Sequence, residues 1–348
     1  MMETIELIQN ADLYKKWGWS VDLITGSGKT FRSEQGSQDV KIAIIDSGID
    51  VNHPDLKDNI ILEQAISFVD DSINDKIGHG TQIAGIIAAK GRLLGIGPNL
   101  KLIPYKVMRD NTSSASFVLQ ALYKAYDEKV DIINLSLGAY NALKNQKDLI
   151  EIREYNKIVE KLLDRNTFIV SSIGNDQRKI CRYNQEFAND DLYILPTSLD
   201  GVIGVASVKK NMSLADYSNY GDCITICGYG GELGDSWNKN RFFDIRQMVL
   251  TTLPLGKEPS IIGKALDLPR GYDLTYGTSI ATAQVTATIG LILSKFKRNK
   301  KSYEYEDVLE VLLKGAVSNC HKFKEVNESE ARIVNAYNSL MFMDDYQY

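Results

Sequence analysis

The stretch Val40–Ile45 reads VKIAII, a run apolar at all but Lys41 that leads into an acid, Asp46. A strand that alternates apolar and polar residues can leave one face in water. A continuous run of β-branched residues cannot, and it belongs in a sheet covered on both faces, which is the habit of parallel sheets. Similar runs follow at Lys101–Val107, Val130–Leu137, Thr167–Ser172 and Gly201–Val208, with shorter ones at Ile224–Cys227 and Met248–Leu253. Between them lie segments of helical spacing at Thr81–Lys90, Ser114–Lys129 and Asp148–Asn166. The chain then closes with helices at Ser279–Phe296, Tyr303–Gly315 and Ala331–Leu340. Strand–helix alternation of this kind implies an α/β fold: a doubly wound, mostly parallel sheet with helices on both faces. The 348 residues fit one such domain. Residues 1–39 form a partly helical lead-in packed on the domain spanning 40–348, with Thr25–Gly36 as a loop.

Open parallel sheets place their sites at the carboxyl ends of the strands. Asp46, Leu137–Gly138 and Ser172–Asn175 all follow strand ends and should share one rim. Only three histidines occur, His53, His79 and His321, so few imidazoles are available as a base. His79 sits in Gly-His-Gly-Thr at a helix start, and Ser279 opens a helix after Gly277-Thr278. A serine hydroxyl becomes a nucleophile when a neutral histidine takes its proton, and a carboxylate that holds the imidazole tautomer completes the set. At a helix start the Ser279 N–H lacks an intrahelical partner and can face an oxyanion. Taken singly, Asp46 and Ser279 also read as ordinary helix caps.

The segments IIDSGIDVNHPDL (44–56), GHGTQIAGIIA (78–88) and YGTSIATAQVTA (276–287) closely resemble the three active-site motifs of the subtilisin-like serine peptidases. The resemblance implies a triad of Asp46, His79 and Ser279. INLSLG (133–138) resembles the family's substrate-binding strand, and SSIGN (171–175) resembles the segment carrying its oxyanion asparagine, here Asn175. Ser136, Leu137, Gly138, Ser172 and Gly174 are then expected to bind substrate as an extended strand, with Asn111–Ser116 as a second edge and the residues before Pro196 completing the primary pocket. Three positions depart from the family pattern: Ala283 replaces a proline, and Gln284 and Gln82 replace histidines. None carries the proton chemistry. The lead-in Trp17-x-Trp19-x-x-Asp22-x-Ile24-Thr25, the Gln of HGTQIAG and the ending IVNAYNSL (333–340) resemble the lanthipeptide leader peptidases. That resemblance implies removal of a leader from a modified precursor peptide. A general intracellular subtilisin is the alternative, and an inactive peptide-binding module a third.

Other features restrict the remaining possibilities. A net charge of −5 argues against nucleic acid as a partner. No run approaches the length of a spanning helix, and Met1–Ser20 has no signal-like apolar core. The expected location is therefore the cytoplasm, with any pro-segment either lacking or removed. No metal is expected. Asp55 matches a calcium-ligand position in the family, yet the loop after His79 is short. Asp70–Asp75 (DDSIND) offers oxygens for calcium, with a solvated loop as the simpler reading. The acids Asp176, Glu186, Asp190 and Asp191 suggest either a lining that favours a basic residue before the cut or an exposed loop. The basic run Lys295–Lys301 reads as a solvated helix end. Gly26-Ser27-Gly28-Lys29-Thr30 imitates a phosphate loop without the strand and glycine that such a loop needs. Four scattered cysteines show no metal spacing.

Overall fold

The computed structural model describes residues 2–141, 146–183, 192–234, 237, 241–318 and 332–345. Its strands are β1 (Lys41–Asp46), β2 (Ile66–Ser67), β3 (Lys101–Lys106), β4 (Ile132–Leu135), β5 (Ala139–Asn141), β6 (Phe168–Ser172), β7 (Tyr193–Leu195), β8 (Ile203–Val208), β9 (Ile226–Tyr229), β10 (Val249–Thr252), β11 (Tyr272–Thr275), β12 (Val317–Ser318) and β13 (Arg332–Ile333). Among the described residues, nine of these make one sheet in the order β12-β13-β9-β8-β6-β4-β1-β3-β2. Every pairing in it is parallel except the β12–β13 edge.

The two-residue period of a strand explains why the continuous apolar runs were informative. Ile42 and Ile44 of β1 point into one core, whereas Ala43 and Ile45 point into another on the opposite face. The same split places Phe168 and Val170 of β6 on the first face and Ile169 on the second. The first core is covered by the helices His79–Ala88 and Thr278–Arg298, and the second by Ala115–Asp127 and Gln146–Leu163. Each fully buried Ile or Leu contributes roughly 1.5–3 kcal/mol relative to exposure.

The helix Thr278–Arg298 is buried at every residue from Thr278 to Phe296. By length and composition it could cross a membrane, but its apolar window is entirely buried in the protein. Its polar side chains are satisfied internally. Gln284, which stands where the family pattern has histidine, bonds both ways to the Tyr229 backbone at 2.7 and 2.9 Å. Thr286 Oγ1 donates to Asn134 Oδ1 at 2.8 Å and so ties the helix to β4.

Four local expectations are corrected. The lead-in holds helices at Met2–Asn10, Asp12–Trp17 and Trp19–Thr25, and the segment expected as a loop contains a helical turn, Thr30–Ser33. Leu13, Tyr14, Val21, Ile24 and Phe31 of this lead-in belong to the first core. The final helix is Ala336–Asp345, and the residues just before it form β13 because they pair with the edge of β9. The basic run is not a free solvated end. Lys295, only 5% exposed, pairs with Asp344 and the Leu340 carbonyl, Lys297 with Asp131, and Arg298 with Glu34. These cations fasten the C-terminal helix and the lead-in onto the long helix. Asn111–Ser116 is not extended throughout, since the helix Ala115–Asp127 starts at Ala115 with Ser114 as its cap.

Candidate active site

In the sheet order, β6, β4 and β1 are neighbours, so their carboxyl ends lie side by side. Asp46 ends β1, Ser136–Gly138 leave β4, and Ser172–Asn175 leave β6. The expected rim therefore exists. Two helices open onto it, one beginning at His79 and the other at Thr278.

Asp46 is fully buried. Its two oxygens lie 2.8 and 2.9 Å from His79 Nδ1, and one of them also accepts the Ser47 N–H at 2.7 Å. A carboxylate only accepts, so Nδ1 carries the hydrogen and Nε2 is left with its lone pair, the form a general base requires. The imidazole remains about 30% exposed on the substrate side. Burial pushes its pKa down, but the Asp46 carboxylate, with a smaller contribution from Asp75, outweighs burial and holds it above the ordinary 6.5.

The sign of that shift gives a prediction. His79 acts as a base only when neutral, so kcat/KM should fall as pH drops through a pKa higher than 6.5. A pH–rate profile of the free enzyme with its acid limb below that value would contradict the geometry. The same shift stabilises the fold at pH below the unfolded value, and that contribution fades as pH rises through the folded one.

Ser279 is 8% exposed, and its hydroxyl donates to the Ser136 carbonyl at 3.2 Å. It makes no hydrogen bond to His79. Catalytic contacts of this type commonly tighten only when substrate is present. Gly277, just before the helix, has φ +146°, a backbone conformation that side chains disfavour. The N-cap Gly277 has no side chain to accept the Ser279 N–H, which is left open. The Asn175 oxygen accepts from Thr278 N and Thr278 Oγ1, both at 2.9 Å. That fixes the amide orientation and leaves Nδ2 as the free donor on the same side as the Ser279 N–H. A Cβ on Gly277 would lie 3.7 Å from Asn175 Nδ2 and 3.9 Å from Ser279 N, so the two donors flank one point.

Several positioning residues carried no sequence signal. Asp75 is 6% exposed and accepts from Ser47 Oγ, Ile77 N and Gly78 N on one oxygen, and from Thr81 N and Thr81 Oγ1 on the other. It caps the helix that begins at His79, so the solvated-loop reading of Asp70–Asp75 is wrong at this residue. Burial raises the Asp75 pKa despite these bonds. Gly80 lets that helix approach closely, because a Cβ there would sit 2.1 Å from the Gly48 carbonyl oxygen. Asn219, fully buried, accepts from Asp176 N and Arg178 N and donates to the Ile173 carbonyl, holding the loop that carries Asn175.

Of the expected substrate residues, Gly138 and Gly174 approach the same side chain, Ile194. Ser136 and Ser172 are buried, Gly138 is exposed, and Gly174, just beyond the end of β6, is half-buried. A Cβ on Gly138 would lie 2.5 Å from Ile194, and one on Gly174 would lie 3.1 Å from the same side chain, so Ile194 closes the slot between the two glycines. Leu137 is partly exposed beside it. Asp176 accepts the Tyr140 hydroxyl, which pushes the Tyr140 pKa to about 12 together with the larger effect of burial, and Arg178 lies over the Tyr140 ring at 5.1 Å. An acidic lining therefore receives no support from Asp176. Glu186, Asp190 and Asp191 lie outside the described residues, as do Cys320 and His321.

The other candidate groups have structural roles. His53 is buried, accepts the Asp55 N–H at Nδ1 and meets the Gly271 carbonyl at 2.8 Å, and burial lowers its pKa. The Asp55 oxygens accept the N–H groups of Arg92 and Leu93. This carboxylate holds the short loop with backbone donors. Among the described residues no three metal-ligating side chains gather. Cys223 and Cys227 are buried thiols with pKa values pushed by burial to about 12.

Fold and site together define a serine peptidase of the subtilisin type. Residues 37–335 match the model of the Subtilase family, Peptidase_S8, and the chain belongs to that family. Among solved structures it is similar to a lanthipeptide protease at 30% identity and TM-score 0.85, covering 95% of this chain and 96% of that one. Among curated proteins it is similar to the epidermin leader peptide-processing serine protease EpiP of Staphylococcus epidermidis, 27% identical over 318 residues. It is also similar to the nisin leader peptide-processing serine protease NisP of Lactococcus lactis subsp. lactis, 24% identical over 322 residues. These alignments take in 80% and 82% of this chain, but 65% and 45% of the two relatives.

Proposed function

We propose that the chain is a serine endopeptidase that removes the leader from a lanthipeptide precursor. The observation that carries the peptidase reading is the meeting of Asp46–His79, Ser279 and Asn175 on one rim. His79 Nε2 takes the Ser279 proton as Oγ attacks the scissile carbonyl. The oxyanion so formed is received by the Ser279 N–H and Asn175 Nδ2, which are already oriented. His79 then passes its proton to the leaving amine as the C–N bond breaks, leaving an acyl-enzyme on Ser279. A water molecule activated by the same base hydrolyses that ester and frees the serine.

The leader-peptidase reading is supported by the near-complete match to a solved lanthipeptide protease. It is supported also by the way the two flanking motifs meet. Asn335 Nδ2 donates to the Leu23 carbonyl at 3.0 Å, and Tyr337 packs against Gly26. The test is mass spectrometry of products from lanthipeptide precursors and from unrelated unfolded proteins. One cut at one precursor bond is the expected result. Broad cleavage of unfolded proteins would overturn the reading in favour of a general degradative subtilisin.

A further inference from the structure

A cleft of about 330 Å³ opens next to the base, lined by Lys76, Ile77, Lys106, Met108, Arg109 and Lys257, with Asp70, Asp110 and Asn111 completing it. Two links place it beside the triad. Ile77 lies two residues before His79, and Lys106 is the register partner of Asp46 across β1 and β3. Four cations therefore face two carboxylates, and the pairing is uneven. Lys106 is 2% exposed and fully engaged by Asp70 at 2.8 Å and by the carbonyls of Ser72 and Asn74. Arg109 meets Asp110 in an exposed pair of the kind that is worth little in water. Lys257 Nζ donates only to carbonyls, Ile77 O at 2.7 Å and Lys76 O at 3.5 Å. Neither Lys76 nor Lys257 has a carboxylate partner among the described residues, so the cleft keeps an excess of positive charge.

A second pocket, of about 190 Å³, shares Met108 and Asn111 with the first, but its other walls are largely apolar: Val118, Leu137, Tyr155 and Leu195. The exposed segment Asn111–Ser114 runs beside both. In an extended peptide, successive side chains point to opposite faces and alternate ones share a face. A peptide whose residue before the cut fills the slot at Gly138 and Gly174 turns its preceding side chain to the opposite face.

We propose that this cleft is a subsite for an acidic side chain, Asp or Glu, on the residue second before the scissile bond. The two uncompensated cations, Lys76 and Lys257, recognise its carboxylate. This rests on the peptidase reading given above and adds to it a charge requirement that lies outside the triad.

The test compares peptides that differ only in Glu, Gln or Lys at that position, cleaved by the full chain. The Glu peptide is expected to exceed the Gln peptide in kcat/KM by about threefold to tenfold, and the Lys peptide to fall below both. The advantage should shrink with added salt, because partly exposed charges are screened. In a Lys76→Glu/Lys257→Glu variant the Glu-to-Gln ratio should invert. Lys161→Glu, on the helix Gln146–Leu163, removes the same kind of charge far from the cleft and should leave the ratio unchanged. Equal kcat/KM for the three peptides, or a ratio that Lys161→Glu moves as much as the cleft variant does, would overturn the subsite. A fluorophosphonate probe separates the two levels. Labelling of Ser279 without a Glu preference removes the subsite alone, whereas folded protein that is not labelled removes the peptidase reading and the subsite with it.

Discussion

His79→Ala is expected to lower kcat by about 10⁶, a magnitude taken from triad deletions in subtilisin rather than calculated from this structure. The physical reason is that no other imidazole is available at the described rim. His53 is buried with both ring nitrogens engaged, and no other described side chain stands in for the lone pair on His79 Nε2. The variant should also lose stability. Asp46 is fully buried and would keep only the Ser47 N–H as a partner, which costs on the order of 1–3 kcal/mol. Kinetics must therefore be read on folded protein, with thermal unfolding measured alongside. The double variant His79→Ala/Ser279→Ala should be no slower than either single one, because base and nucleophile act as a unit. Activity within tenfold of the parent in folded His79→Ala would remove the triad assignment.

Asn175→Ala should have the second largest effect, a loss of about 10²–10³ in kcat with KM little changed, again a magnitude established in this family. The oxyanion exists only along the reaction path, so its donors act on the transition state and not on bound substrate. The rest of the hole should survive. The Ser279 N–H belongs to the backbone, and the helix that presents it is buried along nearly its whole length. Thr278 would lose the acceptor for its N–H and hydroxyl, so a modest shift in unfolding temperature is also expected. A rise in KM at constant kcat would mean that Asn175 binds the ground state instead. Asn175→Asp is a useful companion, since it keeps the acceptor for Thr278 and replaces the donor with a negative charge facing the oxyanion. It should be at least as slow as the alanine variant.

The sequence made the fold legible where burial is two-sided. VKIAII at Val40–Ile45 admits few alternatives to a central parallel strand, and the structure places its residues alternately in two cores. Short edge elements were not legible. β2, β12 and β13 have two residues each, too few for any periodicity, and they exist because a neighbouring strand offers backbone partners. The basic run Lys295–Lys301 is solvated at Lys300 and Lys301 as expected, but its first half is not, for a related reason. Its composition is that of a solvated helix end, and its partners Asp131, Asp344 and Glu34 are remote in sequence.

Asp46, His79, Ser279 and Asn175 could be named from the sequence because each lies in a short segment whose local backbone, a strand end or a glycine-flanked helix start, is itself part of the chemistry. The supporting groups could not. Asp75 reads as one acid in a polar loop until the fold brings Ser47 and Thr81 to its two oxygens. Asn219 and Ile194 acquire roles only by facing loops dozens of residues away. By itself the sequence determined the parallel α/β sheet, the identity of the nucleophile, base and orienter, and so the type of reaction, because these depend on local residue types and spacing. Only the tertiary structure decided which side chains hold that apparatus in place, that Ile194 stands between Gly138 and Gly174, and where uncompensated charge collects beside His79. Those properties come from distances between segments far apart in the chain, which no local pattern encodes.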